Sequence, residues 1–245
     1  MLRKLSITCL LWAGVLTVSA QDKITMTSGA VQQGAVVKVD ATTVTLRMPA
    51  GDIAFQRKDI LWDKVEIQKP ADLETALKTV EAKKYADAIP YLKAVTDKYL
   101  NLPIPWLQQT WAALADAQAA NNQWPAAIET YKKLLELFPQ TPFALKAKVG
   151  LSQGLVREKK YDEALRLLEP AVAPLRKELT VSATDNYFLG TAMIVLGDCY
   201  QAKGELAQAL DLYLSTVVLY PRDPEAVRQA QQKADELKEK MKTSA

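Results

Sequence analysis

One pattern governs the second two-thirds of this chain. A bulky residue is followed three places later by alanine, and four places beyond that by a large apolar residue. It recurs at Tyr85–Ala88–Leu92, Trp124–Ala127–Tyr131, Tyr161–Ala164–Leu168 and Leu206–Ala209–Tyr213. Steps of three and four put each trio on one face of a helix. The alanine leaves room for a second helix to approach, and an apolar helical stretch lies upstream of every copy. The sequence therefore predicts four helix pairs in tandem. A single pair cannot bury its apolar face alone, so the pairs must stack.

The fourth copy carries Leu196-Gly197, then Tyr200, Ala209, Tyr213 and Pro221; the second carries Trp111, Leu114, Ala115, Ala127, Tyr131 and Pro139. This spacing resembles the tetratricopeptide repeat family, whose pattern runs W-x2-L-G-x2-Y, A-x3-F, P. The first and third copies are degenerate, with Ala76 and Leu151-Ser152 at the glycine position. The anchor alanines stand 39, 37 and 45 residues apart, against a family period of about 34. Helices or connections must be longer, most of all around Leu179 to Asp185. Pro90 and Pro170 fall inside second helices and should kink them by removing a backbone donor, whereas Pro125 suits a first turn. Asp223-Pro224 starts a final helix through Lys242, polar outside, with Glu236 and Lys240 at i, i+4. It reads as a solvated cap on the last repeat.

Residues 21–69 alternate with period two instead. Strands are expected at Lys23–Thr27, Val31–Val39, Thr43–Met48, Ile53–Gln56 and Ile60–Ile67, with Val44, Leu46 and Met48 on one face. Turns are expected at Ser28-Gly29, Pro49–Asp52 and Arg57–Asp59, and a sharp bend at Gly34. Five short strands with one bent resemble Sm-like or SH3-like barrels, which implies a closed five-stranded domain. The expected fold class is thus mainly α: a solenoid of helix pairs over 71–245, preceded by a small five-stranded β-barrel-like domain at 21–69.

The first twenty residues have the form of a secretory signal. Arg3 and Lys4 precede an apolar stretch from Leu5 to Val18, and Val18-Ser19-Ala20 offers small residues to a signal peptidase. The apolar stretch is short for a membrane span, which needs ~20 residues. Export to the periplasm or cell envelope is the expectation, with peripheral membrane association open. Cys9 would leave with the signal, and it lies too early to bear a lipoprotein lipid. Cys199 would remain, in an apolar helical setting that suits an inert buried thiol.

Composition narrows the function. The chain contains no histidine, which removes Ser-His triads, zinc-protease helices and imidazole acid–base pairs. Lysine and arginine number 31 against 28 acids, a balance that argues against nucleic acid. No phosphate loop, serine elbow or metal spacing is present, so no enzyme activity, cofactor or metal is expected. Phe138–Ala144 and Tyr220–Ala226 resemble the joints of bacterial envelope repeat proteins, the BamD-like and Tol–Pal-associated families. That resemblance implies a role in envelope assembly.

The tetratricopeptide resemblance implies a concave face lined by first helices. Its register places Leu73, Ala112, Val149 and Ile194 at one groove position and Leu77, Asp116, Gln153 and Asp198 one turn on. Gln109, Lys146, Thr191 and Gln201 flank them. The Lys and Asn with which the family's best-known clamp holds a C-terminal carboxylate are missing from these positions. A protein or peptide partner is expected, its segment hydrophobic or basic to suit the two acids. The competing reading is that Leu73, Val149 and Ile194 simply pack within the array. A self-assembling module built on the β-domain, forming a homo-oligomer, is the alternative to a scaffold.

Overall fold

The structure, a computed structural model, describes residues 21–177, 183–221 and 223–243, with the side chains of 183–186 excepted. The expected signal segment and most of the expected long connection lie outside these residues. Four strands form an antiparallel meander in the order β1 (Asp22–Thr25), β2 (Val31–Val39), β3 (Thr43–Met48) and β4 (Gly51–Gln56). Ile24, Val36, Val44 and Leu46 are buried, as the alternation requires. At Gly34 a Cβ would lie 2.5 Å from the carbonyl oxygen of Arg47, so only glycine permits this approach of β2 to β3.

The expected fifth strand is absent. Residues 60–67 meet β1 only at two isolated bridges, Met26 with Ile60 and Lys23 with Glu66. The 3-10 turn at Trp62–Lys64 lies between them and takes the chain out of ladder register. What forms is a four-stranded sheet with β1 partly covered, rather than a closed five-stranded barrel.

The helices are α1 (Leu73–Glu81), α2 (Tyr85–Tyr99), α3 (Pro105–Ala120), α4 (Trp124–Leu137), α5 (Ala144–Arg157), α6 (Tyr161–Leu175), α7 (Ala183–Ala202), α8 (Leu206–Leu219) and α9 (Pro224–Thr243). They pair as α1/α2, α3/α4, α5/α6 and α7/α8, with α9 against α8. Each first helix also touches the next first helix, α1 to α3, α3 to α5, α5 to α7 and α7 to α9. All four anchor alanines are buried. Part of the long interval before the last anchor lies in α7, which has 20 residues where α5 has 14. The helices α2 and α6 run on through Pro90 and Pro170.

Each pair closes with the same turn. Lys83, Asn122, Lys159 and Gly204 have positive φ. In each case the following N–H reaches back five residues, as Lys84 to Thr79, Gln123 to Gln118, Lys160 to Leu155 and Glu205 to Tyr200, at 2.8 to 3.0 Å. These are Schellman caps, which satisfy carbonyls the helix end leaves open. At the other end of the array Asp223 Oδ1 accepts from the N–H groups of Glu225 and Ala226, each at 3.1 Å, and so caps α9. Ala226, Ala230, Ala234 and Leu237 form the buried stripe of that helix.

The sheet is joined to the array by a continuous core. Ile24, Val36 and Leu46 belong to the same buried cluster as Tyr99, Leu107 and Trp111. Polar contacts fix the junction. Trp106 Nε1 donates to the carbonyl of Ile67 at 3.2 Å, and an Arg57 guanidinium N–H donates to that of Asn101 at 3.2 Å. Asp22, buried in β1, accepts from the N–H groups of Val36 and Gln68, both at 2.7 Å. The sheet therefore packs on the junction between α2 and α3.

Candidate functional site: the concave groove

Because first helices lie side by side, their outward faces make one wall. A cleft of about 650 Å³ crosses it, bounded by α3, α4, α5, α7 and α9. Its apolar floor includes Ala119, Val156, Ile194 and Val195, and its polar lining includes Asp116, Gln153, Thr191, Asp198 and Gln229.

Both acids are engaged within the protein. Tyr131 Oη donates to Asp116 Oδ1 at 2.7 Å, and Lys146 Nζ pairs with Asp116 Oδ2. Tyr213 Oη donates to Asp198 Oδ1 at 2.7 Å, and Lys233 Nζ lies 2.8 Å from the same oxygen. Tyr213 also reaches Gln201 Oε1 at 3.0 Å. Tyr131 and Tyr213 are buried. Burial and the neighbouring carboxylate push both phenols well above their ordinary pKa. A buried hydroxyl needs an acceptor, and each aspartate supplies one.

The residues expected to line the groove divide into three sets. Asp116, Gln153, Thr191, Ile194 and Asp198 border the cleft, and Gln201 borders a smaller hollow that continues it. Ala112 and Val149 are buried, at 2% and 3% exposure, and pack within the array, as does most of Ile194. Gln109 is exposed on α3 apart from the cleft, and Lys146 acts as the counter-ion of Asp116. The acidic points expected for a basic segment are thus already neutralised.

Three of the cleft residues that sequence reasoning missed bear on its chemistry. Trp124, read as framework, borders it, with Arg157 stacked over its ring at 4.4 Å. Arg157 falls one turn beyond Gln153 on α5, so extending the register by four residues would have found it. Lys233 was read as part of a solvated face; nothing in the sequence signals that α9 turns it toward Asp198.

Cys199 is fully buried, and burial together with Asp198 pushes its thiol up to about 12. It is therefore protonated at neutral pH and not a nucleophile. Among the described residues no group of three or more Cys, Asp or Glu side chains is placed to hold a metal.

The tetratricopeptide repeat family matches residues 108–151, which span α3, α4 and the first half of α5. The helical array is a tetratricopeptide-like solenoid in fold. Two solved structures, BtubC and Tom70, agree on the fold. BtubC (BKLC) from P. vanneervenii is similar at 13% identity with a TM-score of 0.52, over 66% of this chain and 68% of that one. Yeast Tom70 is similar at 20% identity with a TM-score of 0.51, over 69% of this chain and 33% of that one. MamA from Desulfovibrio magneticus RS-1 is similar at 17% identity with a TM-score of 0.48, over 70% of this chain and 93% of that one. No curated protein sequence matches the chain. Tetratricopeptide arrays generally mediate contacts between proteins, and this fold is characteristically a scaffold rather than a catalyst.

Proposed function

We propose that this chain is an exported, non-enzymatic scaffold that holds a segment of a partner protein along its concave groove. The observation that carries this reading is the cleft itself, which crosses three successive first helices and α9 and mixes apolar floor with polar rim. Such a surface suits a peptide segment, whose side chains need pockets and whose backbone needs hydrogen-bonding groups. The leader-like residues 1–20 support export, with 21–69 and 71–245 as the two working parts of the mature chain. The joints at Phe138–Ala144 and Tyr220–Ala226 favour a bacterial envelope setting.

The test is crosslinking of the tagged, full-length protein in its native envelope, read by mass spectrometry. Gln153→Trp, which fills the cleft from a half-buried position, should remove the partner crosslinks while leaving the helical circular dichroism unchanged. Crosslinks indifferent to that substitution would overturn the groove as the binding surface. One observation favours a second reading, self-association through the sheet. No strand pairs with the outer side of β4 among the described residues, and Ile53 on it is exposed. Homotypic crosslinks confined to β4 would support that reading.

A further inference from the structure

We infer that the partner segment received by this groove is acidic, and that Arg157 receives one of its carboxylates. This deepens the scaffold reading and rests on it. The reasoning begins with the charges of the cleft. Asp116 is bound by Tyr131 and Lys146, and Asp198 by Tyr213 and Lys233. Neither has attraction left over for a cation on a ligand. Arg157 is different. It ends α5 at the rim of the cleft, exposed, and its one described contact is with the face of Trp124 at 4.4 Å. The adjacent Glu158 is held by Lys160 at 2.7 Å. Among the described residues Arg157 thus has no carboxylate partner.

The stacking matters as much as the missing partner. A guanidinium held 4.4 Å over an indole face loses mobility and keeps N–H donors for a further partner. That is the arrangement suited to a bidentate carboxylate, and pre-ordering lowers the entropy lost when one arrives. The buried Nε1–H of Trp124 likewise has no acceptor among the described residues. Val156, Ile194 and Val195 lie alongside, so the segment should carry apolar side chains spaced from its acids. A polyanion such as nucleic acid is a poorer fit, because among the described residues of the cleft one uncompensated cation cannot neutralise a run of phosphates.

The experiment uses the full mature chain and three fluorescent 15-residue peptides with identical leucine spacing. Their polar positions carry Glu, Gln or Lys. Anisotropy at low ionic strength should show the Glu peptide binding about tenfold more tightly than the Gln peptide, and the Lys peptide weakest. Arg157→Gln should abolish the preference for Glu over Gln. The substitution lies at an exposed helix end, and its fold can be checked by thermal melting. Equal binding of the three peptides, still lost in Gln153→Trp, would overturn the acidic preference and leave the groove reading intact. A Glu preference that survives Arg157→Gln would overturn the role of Arg157. Binding of none of the three would overturn the inference outright.

Discussion

In the second and fourth repeats the residue four places after the anchor alanine is tyrosine, Tyr131 and Tyr213; in the first and third it is leucine, Leu92 and Leu168. All four side chains are buried. The facing position on the first helix changes with them. It is Asp116 and Asp198 opposite the tyrosines, but Leu77 and Gln153 opposite the leucines. A glycine lies against each tyrosine ring as well, Gly150 of α5 for Tyr131 and Gly197 of α7 for Tyr213. The difference teaches that the groove's acids answer the needs of the core. A leucine needs only volume, whereas a buried phenol needs volume, a flat neighbour and an acceptor.

The largest break in this comparison should come from removing the acceptor. Asp116→Leu or Asp198→Leu imitates the first repeat on the groove side while leaving the tyrosine in place. Each strands a buried hydroxyl and frees a lysine from its partner, and should cost about 3 kcal/mol in urea unfolding. Tyr131→Phe alone should cost about 1 kcal/mol. If Asp116 serves Tyr131, the double substitution costs less than the sum of the two singles, with a coupling of about 1 kcal/mol or more. Strict additivity would mean that the aspartate serves something other than the phenol.

Alkaline pH should sharpen the same contrast. The phenols of Tyr131 and Tyr213 have folded pKa values above those of the unfolded chain, because burial and the adjacent aspartate oppose the phenolate. Between the two values the folded protein keeps a proton that the unfolded chain releases. The tyrosines' contribution to stability is therefore intact below about pH 10 and declines above it, with a limiting slope of about 1.4 kcal/mol per pH unit for each. Cys199, pushed up to about 12, begins the same decline from its lower ordinary value. Urea midpoints measured from pH 8 to 11 should fall less steeply for Tyr131→Phe, and unchanged slopes would contradict the assignment.

The close approach of glycine to ring gives a smaller effect. A Cβ on Gly150 would intrude on the Tyr131 ring, so Gly150→Ala should lose packing worth about 1–3 kcal/mol. Better helix propensity returns about 1 kcal/mol, for a net loss of about 1 kcal/mol. In a Tyr131→Leu background, which resembles the odd repeats, the shorter side chain should accept the methyl and the loss should shrink toward zero. Thermal melting of the four proteins checks this.

The legibility of the molecule follows the range of its interactions. The helix pairs were readable because steps of three and four are local, and β2 and β3 because period two is local. Residues 60–67 misled because Ile60, Val65 and Ile67 carry strand composition, while Trp62 starts a 3-10 turn and packs beneath Arg57 at 4.7 Å, a contact that no period-two pattern signals. Asp116, Gln153, Thr191, Ile194 and Asp198, aligned by the repeat register, border the cleft; their position was legible from that register. Their charge state was not, because Lys146 and Lys233 come from the helix two further along the chain, 30 and 35 residues after the acids they neutralise.

The turns between paired helices allow the finest test of how alike the repeats are. All four place one residue at positive φ, and only the fourth uses glycine there: Gly204, against Lys83, Asn122 and Lys159. An L residue with a Cβ pays for this conformation, asparagine least among them, because its side chain tolerates it. Lys159→Gly removes the strain and keeps the Lys160 to Leu155 hydrogen bond, which belongs to the backbone. It also adds freedom to the unfolded chain, so the net gain should be about 0.5 kcal/mol. Lys83→Gly should match it, Asn122→Gly should gain less, and Gly204→Lys should lose about 1 kcal/mol. Urea midpoints in that order would show that the repeats share one backbone turn whatever residue fills it. A loss at Lys159→Gly would show instead that this lysine contributes a contact to its repeat that outweighs the strain.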